Sequence, residues 1–255
     1  MVVTVGSRRA IGQDLFDCLC GRTPGLSLDY QPIYDLSTGK VARWEGLIRW
    51  NHHRHGPIGP IVILQLVKDA NAEFLLLSWV IEKACSAMAG ARSSPSIAIN
   101  MHSSLLTQSA LLLGKISTSL SRHNIRPDRL ELEITEDAAY PMNAQARSCF
   151  KSIQGFGVAL ALDDFGTGFA GLSVLRDFGF DRIKLDKSFM LQAPDDERSG
   201  LIMEGIAALA RSLKVTLTAE GIETAEQLQR AKRLCVEGQG FLLGKPVPAD
   251  TIEYW

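Results

Sequence analysis

The sequence predicts an α/β barrel of the (β/α)8 type, with a doubly wound open sheet as the alternative, and three observations predict it. Short β-branched or aliphatic runs alternate with longer stretches of helical spacing, the signature of a parallel sheet. About seven or eight strand candidates occur, which favours closure into a barrel. A length of 255 residues suits one barrel better than two smaller domains.

Residues 1 to about 25 differ from the rest, and there Ile11, Leu15, Phe16 and Leu19 outline a short amphipathic helix laid against a domain spanning 26–255. Strand runs appear at Val41–Leu47, Ile97–Asn100, Leu130–Ile134, Val158–Asp163, Ile183–Leu185 and Val215–Ala219, among others. Between them, Leu77, Val80, Ile81, Ala84, Cys85 and Met88 form one helical stripe. Leu201, Ile202, Ile206, Leu209, Ala210 and Leu213 form another. Pro127 fits a turn between helix and strand, and Thr224 with Gln227 has the form of a capping box.

Composition narrows the function class. With 46% hydrophobic and 22% charged residues, the chain reads as an ordinary globular protein with a large core. A formal net charge of −1 argues against a duplex nucleic-acid binder, which needs a basic excess. Cys18, Cys20, Cys85, Cys149 and Cys235 are scattered and include no CxxC pair, unlike a zinc ribbon or disulfide framework. No apolar run reaches membrane-spanning length, and the first residues lack a secretory h-region, so the cytoplasm is the expected location.

The informative pattern is what ends each strand. Asn100 closes SIAIN, Glu133 and Glu136 sit in LELEITE, and Asp163 and Asp164 close VALALDD. Lys184 and Asp186 lie in RIKLD, Glu220 closes VTLTAE, and Glu45 sits in VARWEGL. A parallel barrel gathers its C-terminal strand ends on one face. Carboxylates crowded there repel, and a bound cation or protonation relieves them. An all-oxygen set of Glu, Asp and Asn suits Mg2+ or Mn2+. Adjacent Asp163 and Asp164 suit two ions, and two-metal sites typically direct water against phosphate esters. Lys184 adds a positive charge able to orient the water or steady the developing negative charge. The bland alternative is that these acids cap helices or form surface ion pairs.

Three local patterns compete. The run Gly166-Thr167-Gly168-Phe169-Ala170-Gly171 spells a dinucleotide fingerprint, but two preceding aspartates would repel a pyrophosphate. Asp164-Phe165-Gly166 spells a kinase motif without the catalytic loop that must precede it. His52, His53 and His55 beside Arg54 read as a solvated loop, because no acidic partner lies at ligand spacing. Trp44, Trp79 and Phe156 read as core aromatics; Trp50 fits either core or ligand stacking.

Glu45-Gly46-Leu47-Ile48-Arg49-Trp50 resembles the Glu-Ala-Leu-x-Arg-Trp signature of EAL-domain cyclic di-GMP phosphodiesterases. The likeness takes in Tyr30-Gln31-Pro32-Ile33, Glu133-Ile134-Thr135-Glu136 and Asp163-Asp164-Phe165-Gly166-Thr167-Gly168. It continues through Ile183-Lys184-Leu185-Asp186, Ala219–Thr224 and Gln239-Gly240-Phe241, covering roughly residues 26 to 250 in order. The resemblance implies a modified TIM barrel with an antiparallel strand near the N-terminus. It implies hydrolysis of cyclic di-GMP to linear pGpG with two Mg2+ or Mn2+ ions.

Carried over by position, Glu45, Asn100, Glu133 and Asp163 would bind one ion, and Asp163, Asp164 and Glu220 the second. Lys184 would contact the attacking water and Gln239 would help position it, with Glu220 open as ligand or general base. Arg49 matches the phosphate-gripping arginine, Gln31 and Asp186 match substrate-binding positions, and Glu136 matches the anchor of the loop from Asp164 to Gly171. A homodimer or a regulatory protein in trans is the expected source of control. The alternative is a non-catalytic cyclic di-GMP receptor or docking module, but such relatives typically lose metal ligands that this chain keeps.

The chain departs from the pattern at Gly46, where Ala is usual, which costs about 0.5–1 kcal/mol in strand rigidity. It departs also at Met101-His102 after Asn100, at Asn51-His52-His53, and in a Glu220-to-Gln239 spacing one residue short.

Overall fold

The computed structural model describes residues 5–91, 95–136, 143–168, 171–191 and 197–254. Met1–Thr4 of the N-terminal segment, and Phe169 and Ala170 of the glycine-rich run, lie outside them. The first element is α1 (Val5–Leu19), whose buried Ile11, Leu15, Cys18 and Leu19 join the core of the rest of the chain. Phe16, expected on the buried stripe, is instead exposed.

An antiparallel hairpin follows, β1 (Leu26–Asp35) and β2 (Val41–His52), whose turn is tied by Asp35 Oδ1 accepting from the backbone of Ser37 and Thr38. β3 (Gly56–Ile58) pairs back onto the far end of β2. Two helices cover that end, α2 (Pro60–Asp69) and α3 (Glu73–Gly90), and α1 packs on both. The predicted α3 stripe is buried along its whole length, from Leu77 to Met88.

From there strand and helix alternate. β4 (Ile97–Asn100), α4 (Ser109–Arg122), β5 (Leu130–Thr135), α5 (Ala144–Phe156) and β6 (Ala159–Phe165) come first. They are followed by α6 (Gly171–Asp177), β7 (Arg182–Leu185), α7 (Ser188–Leu191), α8 (Glu197–Leu213), β8 (Thr216–Ala219) and α9 (Ala225–Leu234). Pro127 opens a short 3-10 turn that delivers α4 into β5, and Thr224 and Gln227 make the reciprocal capping box of α9. Two-residue strands β9 (Glu237–Gly238) and β10 (Val247–Pro248) end the sheet.

β2, β4, β5, β6, β7, β8 and β9 run parallel, and β1 closes the ring antiparallel to both β2 and β9, giving an eight-stranded mixed barrel. The open doubly wound alternative is thereby excluded.

Strands read as nearly continuous burial because both faces are covered. In β5, Leu130, Leu132 and Ile134 alternate with Glu131 and Glu133, and all five are buried. The alternating aliphatics pack outward under the helices, so the apolar core is a shell around the barrel, while the lumen is charged. The α8 stripe is rotated from expectation: Met203, Ala207 and Ala210 are buried, whereas Leu201, Ile202 and Leu213 are exposed. Aliphatic residues lie on both sides of this helix, so spacing alone did not select the face. Phe156, expected in the core, is also exposed, whereas Trp44 and Trp50 are buried.

His52 corrects the reading of the histidine run as a solvated loop. It ends β2 fully buried, with Nε2 3.0 Å from Asp14 Oδ2 on α1, while Nδ1 accepts the Arg54 amide. Both ring nitrogens are used, which puts the proton on Nε2 and fastens α1 to β2. Its partner lies 38 residues upstream, out of reach of local spacing.

Gly46 in β2 needs no positive φ, and a Cβ built on it would meet Ile99 Cγ2 at 3.4 Å, the Ala98 carbonyl at 3.5 Å and Tyr30 Cε1 at 3.7 Å, all ordinary contacts. By contrast, a Cβ on Gly240 would sit 2.1 Å from the Ile222 carbonyl oxygen. Gly46→Ala is therefore expected to stabilise the fold by about 0.5–1 kcal/mol, and Gly240→Ala to destabilise it severely. Denaturant midpoints of the two variants check this contrast.

Candidate active site

Strand register brings the predicted polar residues into the lumen. Gln31 stands across from Glu45, Asn100 from Glu133, and Lys184 from Thr218. Inward positions recur every second residue, so each strand end contributes one or two groups to the same mouth.

Adjacent Asp163 and Asp164 cannot both face inward on a regular strand, and a bulge resolves the conflict. Between β6 and β7 the pairing passes from Leu162–Ile183 to Phe165–Leu185, three steps on one strand against two on the other. Asp164 takes the left-handed conformation, φ 54°. As a result, carboxylate oxygens of Asp163, Asp164 and Glu220 lie within 4.8 Å of one another.

Lys184 occupies the centre. Its Nζ is 2.9 Å from Glu220 Oε1, 3.0 Å from Glu133 Oε2, 3.0 Å from Asp163 Oδ1 and 3.8 Å from Glu45 Oε1. The Glu133 and Asp163 contacts fall outside hydrogen-bond geometry, and Glu133 Oε1 has no partner. Glu45 is held from two sides, by Asn100 Nδ2 at 3.1 Å and Gln239 Nε2 at 2.7 Å. The short spacing to Gln239 therefore still delivers its amide to the site. After Asn100, the Met101 amide bonds the Glu133 carbonyl and His102 caps the next turn, so the unusual residues there are accommodated.

Burial and mutual repulsion set the protonation equilibria. Desolvation drives Glu133 well above the carboxylate range, against the pull of Lys184. Glu220 is pushed up to about 8 by burial, opposed by Lys184 and aided by Asp163 and Glu45. Asp164 is raised by burial and by Asp163 and Asp186. For Lys184, burial disfavours the charge, but Asp163, Glu133, Glu220 and Glu45 outweigh it and hold the ammonium charged. Partnerless buried carboxylate oxygens around one cation, with only oxygen donors besides it, fit a hard divalent ion.

The remaining predicted residues surround this ring. Glu136 is buried and its Oε2 accepts the Gly166 amide at 2.8 Å, tying down the loop after β6. Asp186 Oδ1 accepts the Ser188 amide at the start of α7. Gln31 Nε2 donates to the Gly244 carbonyl at 3.0 Å. Arg49 lies at the mouth of an apolar groove of about 520 Å³ that runs from Leu47 and Asn100 to Leu64 of α2 and Leu77 of α3.

Sequence reasoning missed a second ionic layer below the ring. Arg43 bonds Glu237, through Nη1 at 2.9 Å and also through Nη2, and its Nε is 3.6 Å from Glu131. Arg182 bonds Glu131 at 2.5 Å, and Thr218 donates to Glu237 at 3.0 Å. The signal was available: Arg43–Glu45, Glu131–Glu133, Arg182–Lys184 and Glu237–Gln239 are each two residues apart, one polar group per lumen layer.

The chain is thus a mixed (β/α)8-type barrel with an acidic, lysine-centred cluster at its C-terminal strand ends, the face on which barrels of this class carry their active sites. The profile of the EAL domain matches residues 14–246, and the chain belongs to this family. Among its relatives, "Cyclic di-GMP phosphodiesterase NbdA" of Pseudomonas aeruginosa is 33% identical over 91% of this chain and 30% of its own. The chain spans about a third of the length of the first curated relatives it matches, 27–33%. The solved structure "PaMucR Phosphodiesterase, c-di-GMP complex" is 33% identical with a TM-score of 0.84, covering 94% of this chain and 98% of that one. The manganese/cy-diGMP complex of Klebsiella pneumoniae BlrP1 is 25% identical with a TM-score of 0.79, covering 89% and 57%. No helix among the described residues is long and apolar enough to cross a membrane.

Because Lys184 offsets part of the ring's negative charge, Lys184→Met is expected to destabilise the fold by about 3–5 kcal/mol at neutral pH without added metal. In the variant, buried carboxyls hold pKa values above their unfolded ones. Such groups support the fold below the unfolded value and lose that support as pH rises through the folded one. The destabilisation should therefore shrink from pH 8 to pH 5, as urea unfolding at the two pH values will read.

Proposed function

We propose that this domain hydrolyses one phosphodiester bond of cyclic di-GMP, giving linear pGpG, with two divalent ions, Mg2+ or Mn2+. The observation that carries the reading is the ring of buried carboxylates around Lys184, beside which Asn100, bonded to Glu45, also lines a groove of about 520 Å³. The phosphodiesterase relative and the neighbours solved with c-di-GMP and with manganese support the substrate and the ion class.

Glu45, Asn100, Glu133 and Asp163 would hold one ion, and Asp163, Asp164 and Glu220 the other. When bound, the ions would supply charge neutralisation and lower the pKa of a water. Lys184 then directs an N–H at the attacking water, and Gln239 and Asn100 keep both oxygens of Glu45 aimed inward. Glu220 stands where it serves as ligand or as proton acceptor. Arg49, at the groove mouth, clamps the phosphate, and Gln31 and Asp186 line the approach of the substrate. Glu136 keeps the Asp164 carboxylate in place by fixing the loop that follows it. The acid set supports an enzyme over a receptor, since a receptor needs the groove but not the ring.

The test is chromatography of cyclic di-GMP incubated with the protein and Mg2+ or Mn2+. Conversion to pGpG by the wild type is expected, with loss of at least about 10³-fold in Glu45→Ala or Lys184→Ala. Binding without turnover in the wild type would establish the receptor reading instead. Full activity in either variant would sink the assignment.

A further inference from the structure

Asp29 belongs to none of the motifs that mark this site, yet its carboxylate meets the guanidinium at the groove mouth. Arg49 Nε donates to Asp29 Oδ2 at 2.9 Å, and Arg49 Nη1 donates to the Ile48 carbonyl at 3.0 Å. The register explains the meeting. Asp29 on β1 stands directly across from Leu47, and Arg49 lies two residues further along β2, so the side chains are diagonal neighbours on one face.

Two fixed donors determine the plane of a guanidinium, because its five N–H groups form a rigid fork. With Nε–H and one Nη1 proton committed, the other Nη1 proton and both Nη2 protons remain for an anion. The pair is only partly buried, 37% of the Arg49 side chain and 24% of the Asp29 side chain being exposed. An ion pair so placed adds little to folding stability. Its effect is on aim: an unrestrained arginine at a groove mouth would lose rotamer entropy on gripping a phosphate, and this one has lost it beforehand.

We infer that Asp29 is a positioning residue that preorients Arg49 for a phosphate of the substrate, setting affinity without taking part in bond cleavage. The inference rests on the proposed function, because it needs a phosphodiester in the groove. Asp29 also offsets part of the Arg49 charge, so two substitutions have different consequences. Asp29→Ala removes the orienting acceptor. Asp29→Asn keeps an acceptor oxygen for Nε–H and removes the competing charge.

The experiment measures steady-state kinetics with cyclic di-GMP and Mn2+ for the wild type, Asp29→Ala, Asp29→Asn, Arg49→Ala and Asp29→Ala/Arg49→Ala, with melting temperatures for all five. Asp29→Ala is expected to raise KM about tenfold with kcat within about twofold. Asp29→Asn should stay within about twofold of wild-type KM, and melting temperatures should barely change. In the Arg49→Ala background, Asp29→Ala should have no further effect, since its action runs through that side chain.

An unchanged KM in Asp29→Ala, an effect that persists without Arg49, or an Asp29→Asn as impaired as Asp29→Ala would each overturn the inference. If the wild type binds cyclic di-GMP without cleaving it, the same variants read by calorimetry decide the matter with Kd in place of KM. A wild type that neither binds nor cleaves it removes the proposed function and this inference together. A competent wild type with an indifferent Asp29 removes the inference alone.

Discussion

One ammonium group holds the mouth of this barrel together. Lys184 is buried against Glu133, Asp163 and Glu220 at 2.9–3.0 Å, with Glu45 just beyond, and so many carboxylates would not share that volume without a cation among them. The arrangement is under-neutralised by design of its composition: one positive charge faces four acids. Buried groups in that condition either take up protons, as the raised Glu133 and Glu220 indicate, or attract more positive charge. The raised carboxyl pKa values and the fit of the site to a divalent ion thus have one source, a surplus of negative charge.

That surplus is tolerated because the rest of the barrel is arranged to bear it. The layer beneath pairs two arginines, Arg43 and Arg182, with two glutamates, Glu131 and Glu237, so the lower lumen is balanced in charge. Outside the strands, a continuous aliphatic shell supplies the hydrophobic stabilisation that a charged lumen cannot. Division of labour between the two faces of each strand therefore underlies both stability and chemistry. The strand face that packs under helices is free of charge, and the face that turns inward carries nearly all of it.

Around the ring, the supporting contacts restrict motion where the proposed chemistry needs fixed geometry. Glu45 is gripped by two amides, Asp164 is held in a left-handed conformation by a bulge, and Glu136 ties the loop that follows. The groove is different in character. It lies between Gly46–Arg49 of β2 and the apolar residues of α2 and α3, and α1 is fastened to the same strand through Asp14 and His52.

The sequence by itself determined the alternation of strand and helix, the buried stripe of α3, the capping box of α9, and the identity of the acids that converge. Those features are written in local spacing, because periods of 2 and 3.6 follow from backbone geometry alone. Tertiary structure alone decided what depends on partners distant in the chain. Strand β9, against which β1 closes the ring, is two residues long and carries no period, so only the ring around it defines it as a strand. The burial of His52 depends on Asp14, the orientation of Arg49 on Asp29, and the inward turn of both Asp163 and Asp164 on a register shift against β7. Even the face of α8 was settled by what surrounds it, since its aliphatics lie on two sides and packing chose Met203, Ala207 and Ala210. Local order follows from the chain's own geometry, whereas charge pairing and register follow from which segments closure of the barrel makes neighbours.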